Sequence, residues 1–383
     1  MAKLSSSNGL EKRPKLRFPE FKEPWNLVKL EDVCSYRKGR DKVKKAQYIS
    51  TENILQNYAG IEPYDDLSEA EGISIQCGDT LMANIRPYLK KVWQSNFNGA
   101  CSTDVLAFSP DNIDGKFLYF LIAQDRFVNY VMCGAKGSKM PRGDKNHILE
   151  YETGVPTESE QRKIAHFIDL LNARISSQNS LINLIKKYKR GVIKTIFDTL
   201  TPVSKSSIGK MATMFSGGTP RSDIVEYYNG SIPFIRSGEI HNDFTELHLS
   251  QIGLDNSSAK MVRKGDLLYA LYGATSGEVD ISKIDGAINQ AILCIRTNEI
   301  SSEYLALWLE INKNNILSKM LQGGQGNLSG ELVKSLVVPI YSKTEEQVIV
   351  RIGNSINKLI DANTNMLYML NEAKESLLQQ MFI

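Results

Sequence analysis

The chain has 383 residues, of which 42% are hydrophobic and 23% charged, and its formal net charge is only +3. That length exceeds one ordinary core and suits two domains with connecting helices, and the composition is neither that of a disordered nor of a membrane-embedded chain. No apolar run approaches the roughly 18–20 residues that cross a bilayer, and Met1–Leu10 lacks a signal-peptide core, so a cytoplasmic protein is expected.

In chain order, residues 1–24 read as a proline-studded N-terminal arm. Residues 25–156 carry short β-branched and aromatic runs, Gln47–Ser50 and Val105–Phe108 among them, punctuated by Gly, Asn, Asp and Pro. That pattern predicts a mixed α/β domain, with a helix over Lys116–Ile122. Residues 157–203 predict a spacer helix and linker, opened by the capping-box sequence Thr157-x-x-Glu160 after Pro156. Ile164, Ile168, Leu171, Ile175, Gln178, Ile182, Ile185 and Val192 recur mostly at alternating three- and four-residue steps, which predicts a helix over Glu158–Asp198, about 60 Å long at roughly 1.5 Å per residue.

Residues 204–340 repeat the mixed pattern, with strands at Ile232–Ile235, Ile292–Ile295 and Val333–Pro339 and a helix from Glu303 ending near Leu321. Residues 341–383 predict the second spacer helix, capped by Thr344-x-x-Gln347 or Ser342-x-x-Glu345. Its apolar stripe reads Ile352, Ile356, Leu359, Asn363, Met366, Leu370, Ala373 and Leu377.

The chain resembles itself. Gly78-Asp79-Thr80-Leu81 returns 187 positions later as Gly265-Asp266-Leu267-Leu268, and Gly99-Ala100 returns at the same offset as Gly286-Ala287. Glu160-Gln161 after Pro156 is echoed by Glu346-Gln347 after Pro339. The fold class expected is therefore α+β: a tandem repeat of two mixed α/β domains separated by two long antiparallel coiled-coil helices, with pseudo-two-fold symmetry. The stripes are too narrow for buried helices and suit a coiled coil, in which Gln178 and Asn363 either set register or are merely tolerated. Two similar heads on a rigid spacer fit two separated half-sites on one duplex.

Pro14-Lys15-Leu16-Arg17-Phe18-Pro19-Glu20-Phe21 followed by Trp25 resembles the opening of specificity subunits of type I restriction-modification systems. Asn84-Ile85-Arg86-Pro87-Tyr88-Leu89-Lys90-Lys91-Val92-Trp93 and Lys136-Gly137-Ser138-Lys139-Met140-Pro141-Arg142-Gly143 are similar to segments of one target-recognition-domain type of that family. Ser216-Gly217-Gly218-Thr219-Pro220, Leu271–Gly277, Gly286–Ala291 and Gln322–Ser329 resemble another. The likeness spans essentially everything after residue 14. It implies that each domain reads half of a split double-stranded DNA target, that the helices fix the gap and bind two methylation subunits, and that restriction subunits add outside. It also implies that S-adenosylmethionine, ATP and Mg belong to those partners, with no cofactor on this chain.

The residues agree that catalysis lies elsewhere. No two prolines are adjacent, so the Asn/Asp-Pro-Pro-aromatic loop of an adenine methyltransferase is missing, and no G-x-x-x-x-G-K-[ST] is present. The five cysteines are scattered without a C-x-x-C, and His241 and His248 are at most a surface pair, so no metal site is expected. Glu20-x-Lys22 only faintly echoes a nuclease spacing. The alternative is a standalone DNA methyltransferase or nuclease with duplicated domains.

The basic runs Arg37–Lys45 and Lys186–Arg190 are weak signals, since charge runs usually line solvated faces. The candidate DNA contacts of the first domain are Arg86, Tyr88, Lys90 and Lys91, with Ser138, Lys139 and Arg142 in the glycine loop; the cations suit phosphates or guanine edges, and Tyr88 could equally be core. Those of the second are Arg221, Arg236, Tyr272, Thr275, Ser276, Asn289, Gln290, Gln325 and Asn327, a less electrostatic set in which Asn289 and Gln290 are readers or backbone caps. Phe167, Leu181, Leu184 and Tyr188 exceed what a two-helix seam needs and are candidate docking residues for methylation subunits.

Overall fold

A computed structural model of the chain describes residues 13–66, 68–322 and 328–383. It has two compact units, one running to Asn179 and including Met366–Ile383, the other spanning Ser180–Asn365. Each unit thus holds one head and a portion of both long helices, cutting across the tandem order of the sequence.

The first unit begins with β1 (Asn26–Lys29), β2 (Cys34–Tyr36), β3 (Arg40–Lys44), β4 (Tyr48–Ile49), β5 (Glu69–Ile75), β6 (Thr80–Ala83), β7 (Val92–Gln94), β8 (Gly99–Cys101) and β9 (Val105–Pro110). Helices α1 (Gly115–Ile122), α2 (Asp125–Cys133) and α3 (Lys145–Leu149) follow, then β10 (Glu152–Val155) and α4 (Glu158–Thr199). One sheet has the order β2-β9-β6-β7 and a second β3-β5-β8-β4, with β4 parallel to β8, while β1 and β10 form a ribbon. Strands β6 and β9 read as continuous apolar runs because both of their faces are covered, β6 being buried at every position. Asp114 starts α1 by accepting the Phe117 N–H at 2.9 Å, and the helix buries Phe117, Leu118, Phe120, Leu121 and Ile122.

The far end of the chain completes this core. Phe382 stacks on Phe117 at 5.1 Å, and the Thr153 hydroxyl donates to the Ile383 carbonyl at 3.0 Å. Ile164, Ile168 and Met381 lie in the same cluster, so the start of α4 meets the end of the last helix.

The second unit repeats the plan with β11 (Ser204–Ser207), α5 (Ile208–Met211), β12 (Ala212–Ser216), β13 (Ile232–Ile235), β14 (His248–Leu249), α6 (Gln251–Asp255) and β15 (Lys260–Val262). It continues through β16 (Leu267–Ala270), β17 (Val279–Ile281), β18 (Gly286–Ile288), β19 (Ile292–Thr297), α7 (Ser302–Gln322), α8 (Gly330–Ser335), β20 (Val337–Ile340) and α9 (Lys343–Met381). Its sheets run β12-β19-β16-β17 and β14-β13-β18-β15, with β13 parallel to β18, and β11 pairs β20. Here the end of α4 (Ile196, Phe197, Leu200) joins the start of α9 (Ile349, Val350) in one core. In both units, therefore, α4 and α9 contribute from opposite ends.

The duplicated Gly-Asp motif has a structural purpose. Asp79 accepts the Gln76 N–H at 2.7 Å and both ends of the Arg37 guanidinium at 2.8 and 2.9 Å. Asp266 does the same for Arg263 N–H at 2.8 Å and Arg296 at 3.0 and 2.6 Å. Three more cations of the Arg37–Lys45 run face acids: Arg40 faces Glu71, Lys42 Glu69 and Lys45 Asp66.

Several local expectations need correction. The Thr157-x-x-Glu160 box does not form, because the Thr157 hydroxyl meets Ser159 while Glu160 turns inward to Arg17 and Trp25. In the second helix Ser342-x-x-Glu345 is the box, with the Ser342 N–H donating to Glu345 at 3.0 Å and the Glu345 N–H to Ser342 Oγ at 3.3 Å. The Glu-Gln match is one residue out of register. Gln161 accepts the Asp114 N–H at 2.8 Å and Glu346 the Ser301 N–H at 2.7 Å, so these two are equivalent, and amide and carboxylate oxygens serve that purpose alike. Val333 is not in a strand: Ser329 caps the Leu332 N–H, α8 takes up Gly330–Ser335, and the strand is confined to Val337–Ile340.

The first stripe lies inward as expected, with Ile164, Ile168, Gln178, Ile182 and Ile185 buried and Leu171 and Ile175 half-buried. Its missing member is Lys189, buried and bonded to Glu310 of α7. The second stripe drifts from the expected one. Inward positions are Ile349, Gly353, Ile356, Ile360, Asn363, Leu367, Leu370, Lys374, Leu377 and Met381, whereas Leu359, Met366 and Ala373 are exposed. Gly353 is required by close approach, since a Cβ there would lie 2.5 Å from Leu307 of α7.

Candidate nucleic-acid interface

Both heads build the same edge. The parallel pairs β4/β8 and β13/β18 end side by side, with the Ser102 N–H donating to the Ile49 carbonyl at 2.8 Å and the Asn289 N–H to Ile235 at 3.4 Å. The β6–β7 and β16–β17 connections reach that edge from the neighbouring sheet through Asn84 N–H to Asp104 at 2.8 Å and Leu271 N–H to Ala291 at 2.8 Å. Most of the candidate contacts gather on these two edges.

In the first unit Arg86 and Lys90 adopt left-handed backbone angles, φ 53° and 54°, on either side of the turn Pro87–Leu89. Such angles cost a non-glycine residue about 1–2 kcal/mol each. Hydrogen bonds hold the loop there: Arg86 N–H donates to Pro141 at 2.8 Å, and Leu89 and Lys90 accept from Asn57 and Tyr58 at 3.1 and 3.0 Å. The two sequence segments singled out separately are thus joined. Lys136 and Arg142 exchange backbone hydrogen bonds of 2.9 Å each, closing a loop whose Ser138 and Lys139 are exposed.

Tyr88 is exposed and is not core. Three of the cations are engaged: Lys90 pairs with Asp125 at 2.7 Å, Arg142 with Asp104 at 3.1 Å, and Lys91 donates to the Thr51 carbonyl at 2.6 Å. Arg86 Nε and Asn84 Oδ1 are buried at this edge with no hydrogen-bond partner among the described residues. An unmade bond of that kind costs about 1–3 kcal/mol. Lys136 bonds Asp144 at 2.6 Å, and that bond, with the Asn146 and His147 N–H groups, holds the Asp144 carboxyl down at about 2.

In the second unit the Ser-Gly-Gly-Thr motif works by close approach. A Cβ on Gly217 would lie 1.8 Å from the Ile288 carbonyl, and Gly218 N–H donates to that oxygen at 3.2 Å. This seats Thr219 against Gln290, which is exposed. Asn289 is a backbone cap, accepting the Ala291 N–H at 3.1 Å. Ser276 turns onto its own loop, donating to the Leu271 carbonyl at 3.2 Å, and Thr275 accepts the Glu278 N–H through its backbone at 2.9 Å. Arg221 is exposed and pairs with Asp223 within its own loop at 2.7 Å. Gln325 and Asn327 lie outside the described residues.

Arg236 follows β13 directly onto the edge. Its Nε and Nη2 donate to Glu239 at 2.9 and 3.1 Å, and Nη2 also donates to Glu246. These bonds to Glu239 and then Glu246 hold its pKa above the ordinary guanidinium value. Beside it, His241 is no partner of His248: its Nδ1 meets Asp280 at 2.9 Å and its Nε2 lies 3.4 Å from Glu278. The Asp280 bond raises the His241 pKa in spite of burial. Sequence reasoning missed these carboxylates, because Asp104 and Arg142, or His241 and Asp280, are brought together by strand pairing and share no local motif.

Of the four docking candidates, Leu181, Leu184 and Tyr188 are exposed. Phe167 departs from the expectation of an outward ring: it is half-buried, packed on the core with Phe18 edge-on at 5.8 Å. Among the described residues no His, Cys, Asp and Glu cluster could hold a metal ion, and no helix is long and apolar enough to cross a membrane.

The family model for the type I restriction modification DNA specificity domain matches the chain twice, over residues 22–187 and 202–370. The type I restriction enzyme EcoDI specificity subunit of Escherichia coli is 20% identical over 187 residues, 47% of this chain and 42% of that protein, so the match spans less than half of that relative. A solved chain from work on complex assembly and conformational transition of the type I R-M system superposes with a TM-score of 0.59 at 18% identity, covering 94% of this chain and 98% of that one. The type I restriction-modification S subunit of M. genitalium gives 0.57 at 15% identity, covering 97% and 99%. These identities speak to the fold alone. The two family matches together cover most of the sequence, and the chain belongs to the type I restriction modification DNA specificity family.

Proposed function

We propose that this chain is the sequence-reading and assembly subunit of a type I restriction-modification complex, acting in the cytoplasm on an asymmetric, bipartite double-stranded DNA target. The observation that carries the proposal is the repeated strand-end edge, built on one frame and furnished with unlike side chains. Arg86, Tyr88, Lys139 and Arg142 stand on the first edge, and Arg236, Tyr272 and Gln290 on the second. Different side chains on a shared frame read different bases, with cations placing the backbone and amides or arginine forks reading base edges.

The two inward stripes support an antiparallel coiled coil of α4 and α9 that sets the gap between half-sites. They match position for position at an offset of 185, Gln178 with Asn363 and Lys189 with Lys374. Methylation subunits dock on the exposed apolar residues of these helices, restriction subunits add outside, and those partners bring S-adenosylmethionine, ATP and Mg; the chain itself catalyses nothing.

Methylome sequencing of a host carrying the intact system tests the reading. The expected motif is two unlike half-sites around a fixed gap, and a palindromic or continuous motif contradicts it. Deleting about one helical turn from both α4 and α9 is expected to shorten the gap while leaving each half-site unchanged.

A further inference from the structure

We propose that Glu246 and Asp104 are removable counter-anions that occupy the site cations Arg236 and Arg142 in the absence of DNA and suppress binding to duplexes of the wrong sequence. The inference rests on the DNA-reading function above.

The two acids on Arg236 are unequal. Glu239 has a side chain only 8% exposed, accepts Nε, Nη2 and the Arg236 backbone N–H at 3.1 Å, and also accepts the Glu246 N–H at 2.9 Å. It is a positioning residue, because the fork stays aimed as long as Glu239 is in place. Glu246 has a side chain 72% exposed and takes a single nitrogen of the same fork. An exposed carboxylate held at one point leaves readily, and what it vacates is an oriented arginine edge fit for a phosphate or the two acceptors of guanine.

The first head has the same device on different residues. Arg142 is fixed through its backbone to Lys136, and its exposed guanidinium meets Asp104 at 3.1 Å, beside the end of β8. Asp104 follows β8 and Arg236 follows β13, the two strands of the equivalent parallel pairs. Asp104 is half-buried, its side chain 34% exposed, and it meets one nitrogen of the fork, so each edge pairs its arginine with an acid held at one point, although the arginine comes from a different segment in each.

The physical effect follows from counter-ion release. Sequence-independent binding is driven by protein cations that neutralise phosphates and release the condensed counter-ions of the duplex, whereas an arginine still paired with a tethered carboxylate neutralises no phosphate and releases none. Every duplex must displace the tethered acid, but only the right one replaces it with a bidentate base contact. The ratio of specific to non-specific affinity rises at the expense of total affinity.

The test uses the full chain and a short fluorescein-labelled duplex of arbitrary sequence, with anisotropy read across a salt series. Glu246→Gln and Asp104→Asn are each expected to tighten binding about two- to fivefold, as suits an exposed ion pair. Each is expected to steepen the slope of log affinity against log salt by up to about 0.9. The gain from Glu246→Gln should vanish when Arg236→Gln is added, and that from Asp104→Asn when Arg142→Gln is added. Salt-sensitive binding by the unaltered chain with no gain in E246Q or D104N overturns the inference while leaving the DNA reading intact. A gain that survives loss of the paired arginine also overturns it, being a general charge effect. Absence of salt-sensitive binding by every form overturns the DNA reading and the inference together.

Discussion

Three strands of the outer sheet are arranged alike in the two units, β5-β8-β4 and β15-β18-β13, yet the fourth strand is added on opposite sides. In the first unit β3 lies beyond β5, remote from the end of β4, and the edge is furnished by the loop Lys136–Arg142 after α2. In the second unit β14 lies beyond β13, and the segment leading to it carries Glu239, His241 and Glu246 onto the edge next to Arg236. A frame that holds backbone geometry constant lets insertions on either side change the chemistry without disturbing the core. The outcome is an edge rich in cations in the first unit and one in which arginine, amide and hydroxyl groups predominate in the second.

The helices differ between units in the same manner. At the start of α4 the N-terminal arm covers the surface: Arg17 grips Glu160 with two 2.7 Å bonds, Trp25 Nε1 adds a third at 3.3 Å, and Glu20 meets Lys163. At the start of α9 the equivalent Glu345 is half-buried and is bonded within its own cap to Ser342.

The largest effect is expected on assembly. Leu181 and Leu184 of α4 and Met366 and Met369 of α9 are equivalent at the 185-residue offset and all are exposed, so under the proposed function each pair is expected to dock one methylation subunit. Replacing Leu181, Leu184 and Tyr188 by polar residues should halve the methylation subunits that co-purify, and replacing Met366 and Met369 as well should remove the rest. An unchanged ratio defeats the assignment. Next comes the arm. Glu160→Ala strands a partly buried arginine and should cost about 3 kcal/mol, whereas Glu345→Ala removes only a cap and should cost clearly less, compared by thermal unfolding. Equal losses would show that the arm does not separate the units.

A smaller effect is expected of the two inward lysines, Lys189 buried and Lys374 half-buried. Lys189 has Glu310, but its equivalent Lys374 has no ion pair among the described residues, and burial pushes its ammonium pKa down. A cation whose folded pKa is depressed opposes folding at neutral pH, so Lys374→Met should stabilise by about 1 kcal/mol while Lys189→Met destabilises. Opposite signs are the outcome to look for in melting temperatures. The smallest effect is pH-dependent. His241 has its folded pKa raised, chiefly by the Asp280 bond, so its contribution is present in full below about 6.5 and is lost as pH rises through the raised value. Melts between roughly pH 6 and pH 9 should show a shallow decline that His241→Gln abolishes; the ring is half-exposed, which keeps the effect small.

Much of the helix and strand pattern was legible because it follows from local periodicity. The helix expected over Glu158–Asp198 is α4, and Val105–Phe108, Ile232–Ile235 and Ile292–Ile295 are all strands. The stripe of α9 was harder to place, because Leu359, Met366 and Ala373 and their neighbours Ile360, Leu367 and Lys374 offer two phases, and only packing chooses between them. Lys189 could not be recognised as an inward residue from its type, since lysine is rarely placed inside and Glu310, which pairs with it there, is distant in sequence. The candidate cations were legible as residue types, but whether they are free is not a local property, and the carboxylates that face them are distant in sequence.

Repetition, patterning and the lack of catalytic loops were determined by the sequence alone, because each depends only on which residues stand at which spacing. Strand pairing decided the rest. It brought Asn84–Lys91 to Lys136–Arg142, placed Ser102 and Asn289 at the ends of parallel strands and set an acid against Arg142 and Arg236, while side-chain packing drew Phe382 into a core that includes Trp25. Those juxtapositions join residues far apart in the chain, and the free energy that selects them comes from burial and hydrogen bonding summed over a whole unit, which no short stretch of sequence contains.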